Sequence, residues 1–341
     1  MKIAIAGAGI YGATCAMKLA QHGHKVDMFD PLGIMRAASA INQYRVHAGY
    51  HYPRSAETIQ EILEARGEFL REFREAIVRN SRHYYAIPKE GSHTAPGAYE
   101  RAMEAHGLPL RGCRPDWLDY AFIDRCYEVD EQIYDPEVLR EIVRERLAET
   151  GVRFERREFT KEMRDEYDFV VWATYGMAQS RGIFARAKYQ VAEKMLVELP
   201  LELKGVALVV VDGPFTGFDP YGSSKTSLFG SAKHTNHWST TDAEDAPPER
   251  YRSRLNGMQF ERAPFTNFDA MRADAALATP AAAKAEYLGS RFVMRVVEDS
   301  PEDRRVLYIK DGSAGEIHIF SGKVVSAVKA ARLLCERIAN A

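Results

Sequence analysis

The chain has 341 residues, 46% hydrophobic and 28% charged, with a formal net charge of −2. These values fit a folded globular chain of two domains, or one large domain with insertions, and they argue against disorder, a fibrous repeat or a strongly basic nucleic-acid-binding face. The longest apolar run, GVALVVV, falls far short of the roughly 20 residues of a membrane-spanning helix, and four cysteines without CxxC spacing predict neither a metal site nor a disulfide framework.

Residues 1–30 read strand, glycine turn, helix, strand. Ile3 and Ile5 lie in a short apolar run stopped at Gly7. Ala13, Ala16, Met17 and Ala20 then recur at helical spacing until Gly23, and Val26, Met28 and Phe29 supply a second strand. No small-residue cleavage pattern follows the apolar start, which predicts a cytoplasmic chain. Gly7, Gly9 and Gly12 form GxGxxG at the strand-to-helix junction, the context in which the motif has a mechanism. Gly7 permits the turn, Gly9 lets a diphosphate approach the backbone, and Gly12 lets the helix pack close. The helix N-terminus then offers unpaired N–H groups and partial positive charge to an anion. Asp30 ends the second strand, where its carboxylate can accept from both hydroxyls of a ribose. Nucleotide binding follows, the dinucleotide being left open by these residues.

Farther on, SAETIQEILEARGEFLREFREAIVRN carries an apolar face with Ser55 as its cap. Residues 80–130 are irregular and read as an insertion. DPEVLREIVRERLAETG is a second amphipathic helix, and YDFVVWATYG reads as a strand buried on both faces of a parallel sheet, ending at Gly176. Residues 186–294 alternate as antiparallel strands, and the C-terminus gives two strands and a helix with Val328, Ala331, Leu334 and Ile338 on one stripe. HTNHW, with His234 and His237, has no third ligand, and no metal is expected.

Four stretches together resemble the FAD-dependent D-amino-acid oxidase-like superfamily, which includes glycine and sarcosine oxidases and L-2-hydroxyglutarate oxidase. They are the opening GAGIYGATCAMKLAQHGHKVDMFD, then AASAINQYRVHAGYHYP, then YDPEVLREIVRERLAETGVRFE with YDFVVWATYG, and finally IHIFSGKVVSAVKAARLL. The resemblance implies an α/β fold: a discontinuous Rossmann-like FAD-binding domain from 1–80, 130–185 and 295–341, with an inserted, mainly antiparallel substrate domain from 81–129 and 186–294. It implies FAD as cofactor, held by Gly7, Gly9, Gly12, Asp30, Ser39, Asn42, Gly176, Gly322 and Lys323. Residues 45–52 would pass the flavin, with His47 contacting it, polarising a substrate hydroxyl, or serving only as a structural histidine. Tyr50, His51 and Tyr52 would line the pocket, at least one facing the core because neighbours in an extended segment point to opposite sides. Arg45 and Arg54 are candidates for a carboxylate clamp, with Arg295 as a third. The catalytic set is then His47, Tyr50, His51, Arg54 and Arg295.

The implied activity is hydride transfer to FAD from a small polar substrate at a C–N bond. The alternatives are oxidation of a 2-hydroxy acid and a redox-neutral reaction on a nucleotide sugar. The partner expected is a small-molecule substrate, with no nucleic acid and no membrane span, and no oligomeric state is read from the sequence.

Overall fold

The computed structural model describes residues 1–175, 183, 186–313 and 315–340. The expected cofactor residue Gly176 lies outside them.

Three sheets organise the described chain. The first has six strands, in the order Tyr308–Asp311, Glu316–Phe320, Phe169–Trp172, Lys2–Ala6, Lys25–Phe29 and Arg153–Glu155. All neighbours in it run parallel except the first pair. Its central strand, Lys2–Ala6, is apolar on both faces because both are covered, Ile3 and Ile5 by the helices and Ala4 and Ala6 by Phe159, Met163 and Tyr167, and Ile3, Ala4 and Ile5 are fully buried. The helix Ile10–Gln21 packs on this sheet and against the C-terminal helix Ala327–Ala339, whose Val328, Ala331, Leu334 and Ile338 enter the same core. Full burial of a side chain such as Leu334 or Ile338 stabilises by about 1.5–3 kcal/mol each. Cys15 and Cys335 sit in this helix–helix contact as buried free thiols.

The second sheet is the large one. It places Asn236–Thr240, Ala187–Glu198, Ser227–Ser231, Thr216–Pro220, Val206–Val210, Arg82–Pro88, Ile123–Val129 and Arg111–Gly112 side by side, with Glu286–Glu298 paired to Ala187–Glu198. Its pairings are antiparallel except Val206–Val210 with Arg82–Pro88. The 13-residue strand Glu286–Glu298 runs unbroken through position 295. A boundary at 295 would therefore cut a continuous ladder, and Arg295 stands on the large sheet, not in the nucleotide-binding unit.

A small third sheet joins Arg45–Val46, Gln132–Tyr134 and Ile77–Val78. It fastens the segment after Asp30 to the start of the helix Pro136–Glu149, where the Asp135 carboxylate caps the N–H groups of Glu137 and Val138 at 3.1 and 3.3 Å. The helix Ala56–Glu72 starts at the expected Ser55 cap, whose hydroxyl accepts from Thr58 N–H at 3.4 Å. Among the described residues no helix is long and apolar enough to cross a membrane.

Candidate active site

The glycine turn is built for close backbone approach. Gly7 has φ +102°, and a Cβ on it would stand 2.5 Å from Ala173 O. One on Gly12 would stand 1.8 Å from Gly7 O. Gly9 caps the helix Ile10–Gln21 with no side-chain hydrogen bond, and no acidic residue occupies the first turn. The Ser39 hydroxyl accepts from Ile10 N–H at 2.9 Å, which brings a hydroxyl to the same helix start. An acid-free helix N-terminus with a hydroxyl beside it suits a diphosphate.

Asp30 does more local work than the sequence indicates. Its carboxylate accepts from Ala8 N–H at 2.9 Å, Leu32 N–H at 2.8 Å and Gly33 N–H at 3.1 Å. A carboxylate has about four acceptor positions, so one remains for a ribose rather than the two expected. Asn42 is more fully engaged. Its amide donates to Ala38 O at 3.1 Å and Ser39 O at 3.2 Å, and its oxygen accepts from Tyr44 N–H at 2.7 Å and Tyr134 O–H at 3.0 Å. Its hydrogen-bonding capacity is thus consumed in shaping the loop, leaving none for a cofactor.

A cavity of about 650 Å³ lies between this unit and the large sheet. His47, His51, Tyr52, Arg54, Gly322 and Lys323 line one side, and Lys194, Asp219 and Arg295 the other. Tyr50 does not line it: its ring is 1% exposed and its hydroxyl donates to Pro109 O at 3.0 Å. The chain turns at Gly49, φ +117°, so of the three successive rings Tyr50 enters the core while His51 and Tyr52 reach the cavity.

Burial dominates the electrostatics. It pushes the His47 imidazole down to about 4, helped by the Lys323 charge, and holds His51 well below the ordinary histidine value. Both rings are neutral near pH 7, and the Nδ1 of each is buried without a hydrogen-bond partner. Lys323 lies 4.2 Å from the centre of the Tyr52 ring, and burial, then Arg45, pushes its ammonium down to about 7.

Behind His47 stands Glu131, which the sequence reading missed. Its carboxylate takes Arg45 NH1 at 2.6 Å, Tyr85 O–H at 2.9 Å and Ala48 N–H at 2.9 Å, while His47 Nδ1 stands 3.6 Å away, too far for a hydrogen bond. Burial alone would raise its pKa, but His47 and Arg45 hold it well below the usual carboxylate range. Arg45 also pairs with Asp219, so it is spent inside the protein and is not a free clamp. Arg54 is likewise committed: it meets Asp212 at 2.5 and 3.3 Å and donates to Pro301 O at 2.7 Å, tying together three segments at the mouth. Of the expected arginines only Arg295 has no hydrogen-bond or ion-pair partner among the described residues. Burial and then Arg305 lower its pKa.

Lys194 was also missed. The signal was present in AKYQVAEKMLVE, where Lys188, Gln190, Ala192 and Lys194 alternate onto one face, and all four line the cavity. Burial and then Arg295 push the Lys194 ammonium down to about 8. On the opposite face Glu193 is wholly buried and binds His237 Nε2 at 2.7 Å, Thr266 O–H at 2.7 Å, Asn267 N–H at 3.2 Å and the Ser290 hydroxyl. His234 meets Asp274 at 3.0 Å. The two histidines of HTNHW therefore meet carboxylates off the cavity, while Thr235 and Asn236 between them line it.

Comparison with known proteins places this geometry. The FAD-dependent monooxygenase FPY4 of Fusarium mangiferae is 27% identical over 246 residues, 68% of this chain and 64% of that protein. The chain thus spans less than two thirds of that relative's length. Glycine oxidase from Geobacillus kaustophilus has a similar fold, with TM-score 0.71 at 15% identity over 98% of this chain and 93% of that one. Iminodiacetate oxidase from Chelativorans sp. BNC1 gives 0.68 at 12% identity over 100% and 95%. Residues 2–220 match the model of the DAO family, FAD dependent oxidoreductase, and the chain therefore belongs to that family, with FAD as its cofactor.

Proposed function

We propose that the protein is an FAD-dependent oxidase or dehydrogenase that oxidises a small amino acid or amine at its C–N bond. The observation that carries the reading is Arg295: a guanidinium on the cavity wall with no hydrogen-bond or ion-pair partner among the described residues suits a substrate carboxylate, which it can hold by two parallel hydrogen bonds. The similarity to glycine oxidase and iminodiacetate oxidase over nearly the whole chain supports it.

FAD, which Gly7, Gly9, Gly12 and Ser39 would hold at the helix start, would supply the acceptor for a hydride from the substrate carbon. The protein's part is binding and orientation, which can account for about 7–11 kcal/mol of a barrier when the geometry is well fixed. Arg295 holds the carboxylate. His47 and His51, neutral through burial, face the cavity without adding charge there. The buried carboxylates Glu131 and Asp219 are engaged with Arg45 and so do not act as free bases. A neutral amine needs none, since it carries its own electron pair.

Oxidation of a 2-hydroxy acid is the second reading, favoured by the neutral His47 imidazole on the cavity wall, whose Nδ1 side is turned to Glu131 and whose ring can meet a substrate hydroxyl. Anaerobic mixing of the purified protein with amino acids, amines and hydroxy acids tests both readings. The C–N reading expects flavin bleaching by an amine substrate and release of ammonia or an amine. Bleaching by hydroxy acids alone, with a keto acid formed and no nitrogen released, would overturn it in favour of the second.

A further inference from the structure

Resting on the carboxylate assigned to Arg295 above, we infer that the substrate is a small dicarboxylate, its second acid group held by Lys194. In the ladder between Ala187–Glu198 and Glu286–Glu298, Arg295 stands opposite Gln190 and Lys194 opposite Arg291. The two cations are thus four positions apart along one face, about 13 Å at the backbone at roughly 3.3 Å per residue. Between them the floor is small, Ala192 opposite Val293. Ala192 and Val293 pack against Ala40 and Ile41, and the two long side chains stand at the ends of this floor. Both line the cavity and both are half-buried.

Neither cation has a hydrogen-bond or ion-pair partner among the described residues, although Asp219 acts on Lys194 and Asp303 on Arg295 from farther off. Arg291, opposite Lys194, is turned away: its guanidinium lies 4.0 Å from the Phe260 ring centre and 6.0 Å from that of Tyr221. Asp219, the carboxylate that acts on Lys194, is paired with Arg45. Arg305 and Lys188, which also line the cavity, have Asp303 and Asp299 respectively. Lys323, across the cavity against the Tyr52 ring, also has no carboxylate partner among the described residues; on the floor itself Lys194 and Arg295 remain as separated cations, with Arg295 lowering the charged state of Lys194. A ligand with one acid group at each end relieves both. A single compact dianion such as phosphate would satisfy one and leave the other.

The test uses the FAD-loaded protein and anions that cannot be oxidised at a C–N bond. Malonate, succinate, glutarate and adipate are titrated against propionate, butyrate, valerate and hexanoate, with inorganic phosphate as a further arm. Binding is read by calorimetry and by the flavin difference spectrum. The expected result is that at least one dicarboxylate binds tenfold or more tighter than the monocarboxylate of equal length. Lys194→Met should erase that ratio while Lys194→Arg restores it, FAD content being unchanged in both. Equal binding of the two series overturns the inference, as does phosphate binding more tightly than every dicarboxylate. A Lys194→Met variant that loses stability but keeps the ratio would assign Lys194 to Asp219 and overturn it too. The readout is binding, so it fails independently of C–N oxidation: dicarboxylate preference without bleaching by amines sinks only the earlier reading.

Discussion

Replacing Glu131 by glutamine tests whether the buried network behind His47 holds the site together. Three donors converge on the carboxylate: Arg45 NH1 and Tyr85 O–H on Oε2, and Ala48 N–H on Oε1. Glutamine has one acceptor oxygen, so its NH2 must face Arg45 or Ala48, and an orphaned buried donor costs about 1–3 kcal/mol. Arg45 also loses one of two carboxylates. Removing one partner of a buried pair costs about 3–5 kcal/mol, and Asp219 retains part of that, so the expected total is about 3 kcal/mol. Unfolding entropy of about 2.1 cal/mol/K per residue over 341 residues gives about 0.7 kcal/mol/K. The melting temperature of the FAD-loaded protein should therefore fall by about 4 °C. Scanning calorimetry of Glu131→Gln beside Tyr85→Phe, which removes a single hydrogen bond, measures this. A Glu131→Gln midpoint within 1 °C or so of the parent would refute the reasoning.

Gly12→Ala should abolish FAD retention, since its Cβ would meet the Gly7 carbonyl at 1.8 Å. Gly9→Ala should cost less, because the close atom there, at 2.8 Å, is a movable Ser39 hydroxyl; equal FAD loss in both, by absorbance after gel filtration, contradicts this. Acidification should destabilise the fold. With His47 at about 4 when folded and 6.5 as its ordinary value, the unfolded chain alone binds the proton between those pH values, and stability falls as pH drops through that window. His83, pushed by burial to about 3, extends the loss downward, and Glu131 adds its own as pH falls from about 4.5 through its lower folded value. A melting temperature that is flat or rising from pH 6.5 to 4.5 would contradict the assignment. Arg54→Ala and Asp212→Ala should be non-additive in stability by about 0.5–3 kcal/mol in a double-mutant cycle, and additivity would separate the pair.

The glycine turn, the Ser55 cap and the C-terminal helix were legible because each depends on residues within one or two turns of chain. The large sheet was legible only as a class. Its strand order joins residues 82–88 to 206–210, and no local pattern encodes that pairing. The site divided in the same way. Gly7, Gly9 and Gly12 declare their role by spacing, whereas the state of Arg45 and Arg54 depends on Glu131, Asp219 and Asp212, distant in sequence. Tyr50 and His51 are adjacent rings, and only the turn at Gly49 decides which one sees the cavity.

Glu193 gives the cavity floor a further property. It follows directly from the strand that carries Lys194, and its four partners clamp that strand from the outer face through Ser290, Thr266, Asn267 and His237. Ser290 lies on the strand that carries Arg295, so one buried carboxylate fixes the spacing of both cations. The floor then acts as a ruler with rigid ends: selectivity among chain lengths should be sharp, and a looser ruler, as in Glu193→Gln, should blunt that selectivity before it empties the flavin site.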